Sequence, residues 1–154
     1  MLQAVPTNFL AKTFRLHQDD RLVGEVDTSL WRERARLDVE TGSYDFHRER
    51  FCAGDFLLEG DGKLIARASK PNWYKCTLEV EVPNHRLTLR KVSPWKRRFE
   101  LFEGEKQVGS VYPLGLFSRR TQIDLPDDWP IAIRGFLFWL VFLAWQGEEV
   151  AAIT

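Results

Sequence analysis

The sequence predicts an all-β fold: a closed antiparallel barrel of about eleven to twelve meandering strands around a buried hydrophobic C-terminal helix. Three observations carry that expectation. Turn signals recur at regular intervals, side chains between them alternate apolar and polar, and a rod of apolar residues at 131–145 contains one charge, Arg134. With 154 residues, 44% of them hydrophobic and 29% charged, the chain has the size and composition of one domain, 1–154, with a core of its own.

The turns centre near Asp19-Asp20, Thr41-Gly42, Asp61-Gly62, Pro83-Asn84 and Glu103-Gly104. Taking residues 19, 41, 61, 84 and 104 as markers, the gaps are 22, 20, 23 and 20. Each gap holds two short strands and their connections, which is the spacing of an all-β sandwich or barrel. Gly60-Asp61-Gly62 supplies three successive residues that tolerate positive φ, as a tight hairpin requires.

Between turns the period is two. Leu78, Val80 and Val82 share a face opposite Thr77, Glu79 and Glu81, and Leu87 and Leu89 oppose Arg86, Thr88 and Arg90. Ala35, Leu37 and Val39, and again Thr121, Ile123 and Leu125, repeat the pattern. Such strands are dry on one side and wet on the other, unlike the continuously apolar strands of a parallel sheet. Eleven strands are expected, within residues 8–125: 12–17, 21–27, 34–40, 43–49, 51–59, 63–69, 74–82, 85–92, 97–103, 106–112 and 119–125.

The rod reads as a helix over 130–146, inside a central C-terminal segment 128–147. Asp127 or Asp128 can cap its first turn, Pro130 fits that turn, and Gly147 can end it. A helix apolar on every side must be buried on every side. The run has fifteen residues, 131–145, whereas a membrane span needs about 20. A barrel of some eleven strands has a lumen too wide for its own side chains, and one helix would fill it.

Regular hairpins, then Gly109-Ser-Val-Tyr112, then Ile123-Asp-Leu-Pro-Asp-Asp128, then an apolar helix: in this order the chain resembles the tubby C-terminal-like superfamily, with its LURP-one-related proteins and phospholipid scramblases. The resemblance runs over roughly residues 8 to 150 and rests on architectural order. It implies a closed barrel of about twelve strands threaded by its own helix, and functions that range from phosphoinositide binding to membrane-linked roles.

Composition excludes several functions. Lys plus Arg is 22 and Asp plus Glu is 22, so the chain lacks the cation excess of a general nucleic-acid binder. Cys52 and Cys76 are too few for a disulfide scaffold or a four-thiolate zinc site. No secretion signal is read in the first residues, so the expected setting is the reducing cytoplasm, peripheral at a membrane where lipid is bound. Among the histidines, His47 lies near Asp45 and Cys52 in sequence, but strand alternation turns His47 and Asp45 to the wet face. His17 and His85 stand at hairpin ends, and no His or Cys pair has metal-ligand spacing. Asp61-Gly62 lacks the alternating carboxylates of a calcium loop. No enzyme activity, cofactor or metal is expected.

Charge is segregated along the chain. Residues 85–120 carry nine cations and three anions, a net of +6. Lys96, Arg97, Arg98, Arg119 and Arg120 precede or begin two strands and can meet at one rim, beside Trp95 and Phe117. A cationic rim with aromatics suits an anionic lipid headgroup or a protein partner; the same charges would also serve as solvated barrel ends that discourage edge pairing. A second reading, from a different class, is a tail-anchored membrane protein with a scramblase-like role, its helix in the bilayer.

Truncation after Leu125 separates the two. If the helix is the core, the fragment loses a rod of large apolar side chains, each contributing about 1.5–3 kcal/mol. Net stability is only about 5–15 kcal/mol. The 1–125 fragment is therefore expected to aggregate or stay molten and bind ANS. A soluble fragment that unfolds cooperatively would favour the anchor.

Overall fold

The computed structural model describes residues 1–8, 12–29, 33–50, 53–70, 77–115 and 119–153, with side chains described through residue 147. Twelve strands precede one helix: β1 (Leu2–Pro6), β2 (Thr13–Gln18), β3 (Arg21–Ser29), β4 (Arg34–Val39), β5 (Gly42–Arg50), β6 (Ala53–Gly60), β7 (Lys63–Ser69), β8 (Thr77–Val82), β9 (His85–Lys91), β10 (Phe99–Glu103), β11 (Lys106–Pro113), β12 (Thr121–Asp124) and α1 (Ile131–Ile153). Each strand pairs antiparallel with its sequence neighbours, and β1 also pairs with β12, so the meander closes into a barrel. Closure leaves none of the twelve described strands at an open edge.

Hairpin chemistry explains five of the connections. Only two residues separate β2 from β3, β4 from β5, β6 from β7, β8 from β9, and β10 from β11. Asp19 and Asp20 both take positive φ, 49° and 67°, as do Asp61 and Gly62 at 52° and 73°. Positive φ at both central residues is the geometry whose twist matches the flanking strands. The remaining connections are, with one exception, longer. By the up-and-down order their described residues, 7–8, 12, 33, 70, 92–98, 114–115 and 119–120, lie at the opposite end of the barrel.

The inner faces carry the alternation that the sequence shows. Phe14, Leu16, Val26, Leu37, Phe46, Phe56, Leu58, Val80, Leu89, Phe99, Leu101, Val111 and Ile123 all turn inward and are buried. Into this lumen α1 puts Phe136, Leu137, Phe138, Trp139, Leu140 and Val141, which have almost no solvent contact on any side. Aromatic layers interlock across the wall: Phe14 meets Phe138 and Phe142 at 5.1 and 5.2 Å, and Phe46 meets Phe136 and Trp139 at 5.6 and 5.7 Å. Tilted and edge-on pairs at such distances add to the burial energy itself. Gly135 marks a close approach, since a Cβ there would lie 3.3 Å from Leu37.

Three expectations need correction. The barrel begins at Leu2 and not near residue 8, because β1 supplies the strand that pairs with both β2 and β12. With five residues ending in Pro6, β1 is too short for its alternation to stand out, and its place is fixed by pairing with a strand over a hundred residues away. Gly147 does not end the helix; α1 continues to Ile153. A glycine ends a helix only where it takes the left-handed conformation, and Gly147 is not among the residues with positive φ. Strands β10 and β12 start at Phe99 and Thr121, two residues later than expected, so the basic runs lie in connections and not in strands. Residues 51–52 and 74–76, expected at strand starts, lie outside the described residues.

Trp139→Asp or Leu140→Asp places an unpaired charge in this dry lumen and is expected to abolish folding. Gly109→Ala tests the wall: its Cβ would fall 2.5 Å from the Asp124 carbonyl oxygen and 2.6 Å from Leu125. Urea unfolding is expected to show a loss of about 1–3 kcal/mol or more. Wild-type stability for either lumen variant would place the helix outside the barrel.

Candidate functional site

The up-and-down order gives the barrel two chemically different rims. At the hairpin rim, the five turns and the link 125–130 into α1 contain seven anions, Asp19, Asp20, Glu40, Asp61, Glu105, Asp127 and Asp128, and no cation. At the other rim, the described residues of the connections contain seven cations, Lys12, Lys70, Lys96, Arg97, Arg98, Arg119 and Arg120, and one anion, Glu33. The five cations singled out in the sequence thus share one rim, in the connections β9–β10 and β11–β12.

Both connections are tied at their bases. The amide of Val92 donates to the Arg98 carbonyl at 3.0 Å, and that of Leu114 to the Arg120 carbonyl at 2.9 Å. Several basic side chains are held by rings. Arg97 lies over Trp145 at 4.8 Å, and the Trp145 Nε1–H donates to the Arg97 carbonyl at 2.9 Å, so the end of the buried rod anchors the basic loop. Arg98 lies over Tyr112 at 4.4 Å and donates from Nη2 to Ser110 Oγ at 3.0 Å. Arg119 lies 5.5 Å over Phe14, whose ring packs on Phe138 and Phe142. A ring face attracts a cation and leaves the planar donor edge of a guanidinium pointing away from it. Lys96 is exposed, and Trp95 beside it is 94% exposed, with Val92 and Leu114 also open to solvent. Phe117 lies outside the described residues.

At the hairpin rim, Arg134 closes the lumen. It is only 3% exposed, donating from Nε to the Trp129 carbonyl at 3.0 Å and from Nη1 to Gln18 Oε1 at 2.8 Å. Burial lowers its tendency to stay protonated, against the pull of Asp127 and Asp128. Asp127, one of the two candidate helix caps with Asp128, is turned toward Gln18 at 3.3 Å and Arg134 at 3.8 Å. Nearby, Asp38 accepts from Ser43 Oγ at 2.6 Å and pairs with Arg36 at 3.0 Å, and the Ser43 bond, aided by Arg36, holds its carboxyl below the usual carboxylate range.

The histidines do not assemble a nucleophile site among the described residues. His47 Nε2 meets Glu59 Oε1 at 3.1 Å and His85 Nδ1 meets Glu103 Oε2 at 2.6 Å, each a pair on the outer wall. Cys52 and Cys76 lie outside the described residues. No group of three or more His, Cys, Asp or Glu that could hold a metal occurs among the described residues.

Sequence reasoning found the basic residues and missed what holds them. Trp145, Tyr112 and Phe14 are far from their arginines in the chain, and no local pattern announces such pairs. The fold defines the class: an up-and-down barrel of twelve strands around its own C-terminal helix, with oppositely charged rims. No family model matches the chain, and no curated protein or solved structure is significantly similar to it.

Trp145→Phe keeps the apolar bulk and removes the indole donor from the Arg97 carbonyl. Losing one such bond costs about 1 kcal/mol, or a few degrees in melting temperature at this size. The variant is expected to show that loss, together with faster amide exchange confined to 92–98. An unchanged exchange rate there would mean that the loop is held by other contacts.

Proposed function

We propose that this chain is a non-enzymatic, tubby-like barrel module that binds an anionic membrane lipid surface through its basic rim, with Lys96, Arg97, Arg98, Arg119 and Arg120 at the contact. The observation that carries the reading is the sorting of charge between the connections of the two rims, seven cations against one anion among the described connecting residues of one and seven anions in the turns and helix link of the other. A negative surface attracts the first end and repels the second, so the molecule would approach in one orientation. Trp95, almost wholly exposed next to three successive cations, has the apolar body and polar N–H that favour the headgroup region. The resemblance to the tubby-like superfamily points the same way.

The anchor reading has less support. The rod that it would put in the bilayer fills the barrel, and no helix among the described residues is long and apolar enough to cross a membrane.

Vesicle co-sedimentation tests the proposal. Binding is expected with vesicles of phosphatidylcholine and phosphatidylserine, not with phosphatidylcholine alone, and is expected to fall as salt rises. Each cation near such a surface contributes about 1 kcal/mol, so replacing Lys96, Arg97 and Arg98 together by Ala should weaken binding by about a hundredfold. The melting temperature should stay within a few degrees of wild type. Equal binding to neutral vesicles, or no binding to either, would remove the lipid reading.

A further inference from the structure

We propose that a groove at the hairpin rim receives the Trp95 loop of a second copy of this chain, so that barrels associate head to tail. This goes beyond lipid binding and does not depend on it. The groove has a volume of about 1060 Å³ and lies where the β2–β3 and β4–β5 hairpins meet the start of α1. Leu22, 56% exposed, stands in it with the partly buried Val39, Tyr44 and Ile131. Around this apolar floor are the carboxylates of Asp19, Asp38 and Glu40. Its lining cations are Arg21 and the buried Arg134, the latter already engaged with Gln18 and the Trp129 carbonyl. At its edge the Met1 ammonium pairs with Asp19 and Arg36 pairs with Asp38, so Glu40 and the outer oxygens of these carboxylates are what a basic loop would meet. Asp38, held ionised by Ser43 and Arg36, keeps its negative charge.

The occupant follows from charge and shape. An acidic groove with an exposed apolar floor fits a protruding aromatic followed by cations, and the opposite rim of the same molecule presents one: Trp95, then Lys96, Arg97 and Arg98. Covering Trp95 and Leu22 together removes from water two of the most exposed large apolar side chains among the described residues. Knob and groove stand at opposite ends of one barrel, so the contact is heterologous. Each added copy leaves a free knob and a free groove, and growth does not close at a dimer.

Sedimentation velocity and light scattering on the full chain read this out. The mean mass is expected to rise continuously with concentration, without a plateau at the dimer, and to fall as salt rises. Two variants divide the contact. Trp95→Ala with Lys96→Ala and Arg97→Ala keeps the groove and loses the knob. Leu22→Lys with Glu40→Lys does the reverse, using exposed positions whose change spares the core. Each alone should need about tenfold or more higher concentration to associate. An equimolar mixture should form 1:1 pairs and stop there, which also shows both variants to be folded. Wild type that stays monomeric at every concentration overturns the proposal, as does growth that ends at a symmetric dimer, growth that persists in both variants, or variants that do not pair on mixing. A monomer that takes a free peptide of sequence Trp-Lys-Arg-Arg in the groove assigns it to a different basic partner and likewise overturns it.

Discussion

A helix with no polar side cannot rest on a surface, and that constraint organises everything else in this chain. Burying α1 on all sides requires a wall on all sides, and twelve amphipathic strands closed on themselves provide it. The dependence runs both ways. A barrel of twelve strands has a lumen that its own Leu, Val and Phe side chains do not fill, and the rod from Phe136 to Trp145 supplies the missing volume. Even the indole N–H of Trp139, which has no hydrogen-bond partner among the described residues, is accepted there, with the rings of Phe46, Phe56 and Phe136 within 6.0 Å of its own. Core and wall are therefore one cooperative unit.

The same topology sorts the surface. Twelve strands running up and down put every second connection at the same end, so a difference between odd and even connections becomes a difference between two ends of a molecule. The chain is neutral as a whole, yet the described connections at its two rims carry opposite charge. The helix agrees with this arrangement. Its N-terminal end, the positive end of the peptide dipoles, lies among Asp127, Asp128 and Asp19, and it runs toward the basic rim, where Trp145 meets Arg97. Zero net charge excludes a general polyanion binder without excluding a polarised one, because approach to a surface depends on the end that faces it.

Much of the fold was legible in the residues. The alternation in Leu78-Glu-Val-Glu-Val82 and the turn residues Asp61-Gly62 are local signals, set by the pleat and by φ preferences, and both hold in the structure. Strand β1 was missed because its deciding contact is distant: it exists where β12 offers it a partner. The end of α1 was misplaced because Gly147 keeps a helical backbone and does not take the left-handed conformation that would stop it. The basic runs were legible as charge, but their stacking on Trp145, Tyr112 and Phe14 was not, since the rings come from other elements.

By itself, then, the sequence determined the kind of elements, most of their positions and the need for a barrel around a buried rod. Periodicity, turn chemistry and an all-apolar helix are properties of neighbouring residues, and the backbone responds to them locally. Tertiary structure alone decided how the barrel closes, through the pairing of β1 with β12, and which connections share a rim. It also decided that Leu22, Val39 and Ile131, from three separate elements, line one groove beneath Asp19, Asp38 and Glu40. These follow from strand order and register, which bring together residues with no sequence proximity, and a pattern read along the chain has no access to distances across it.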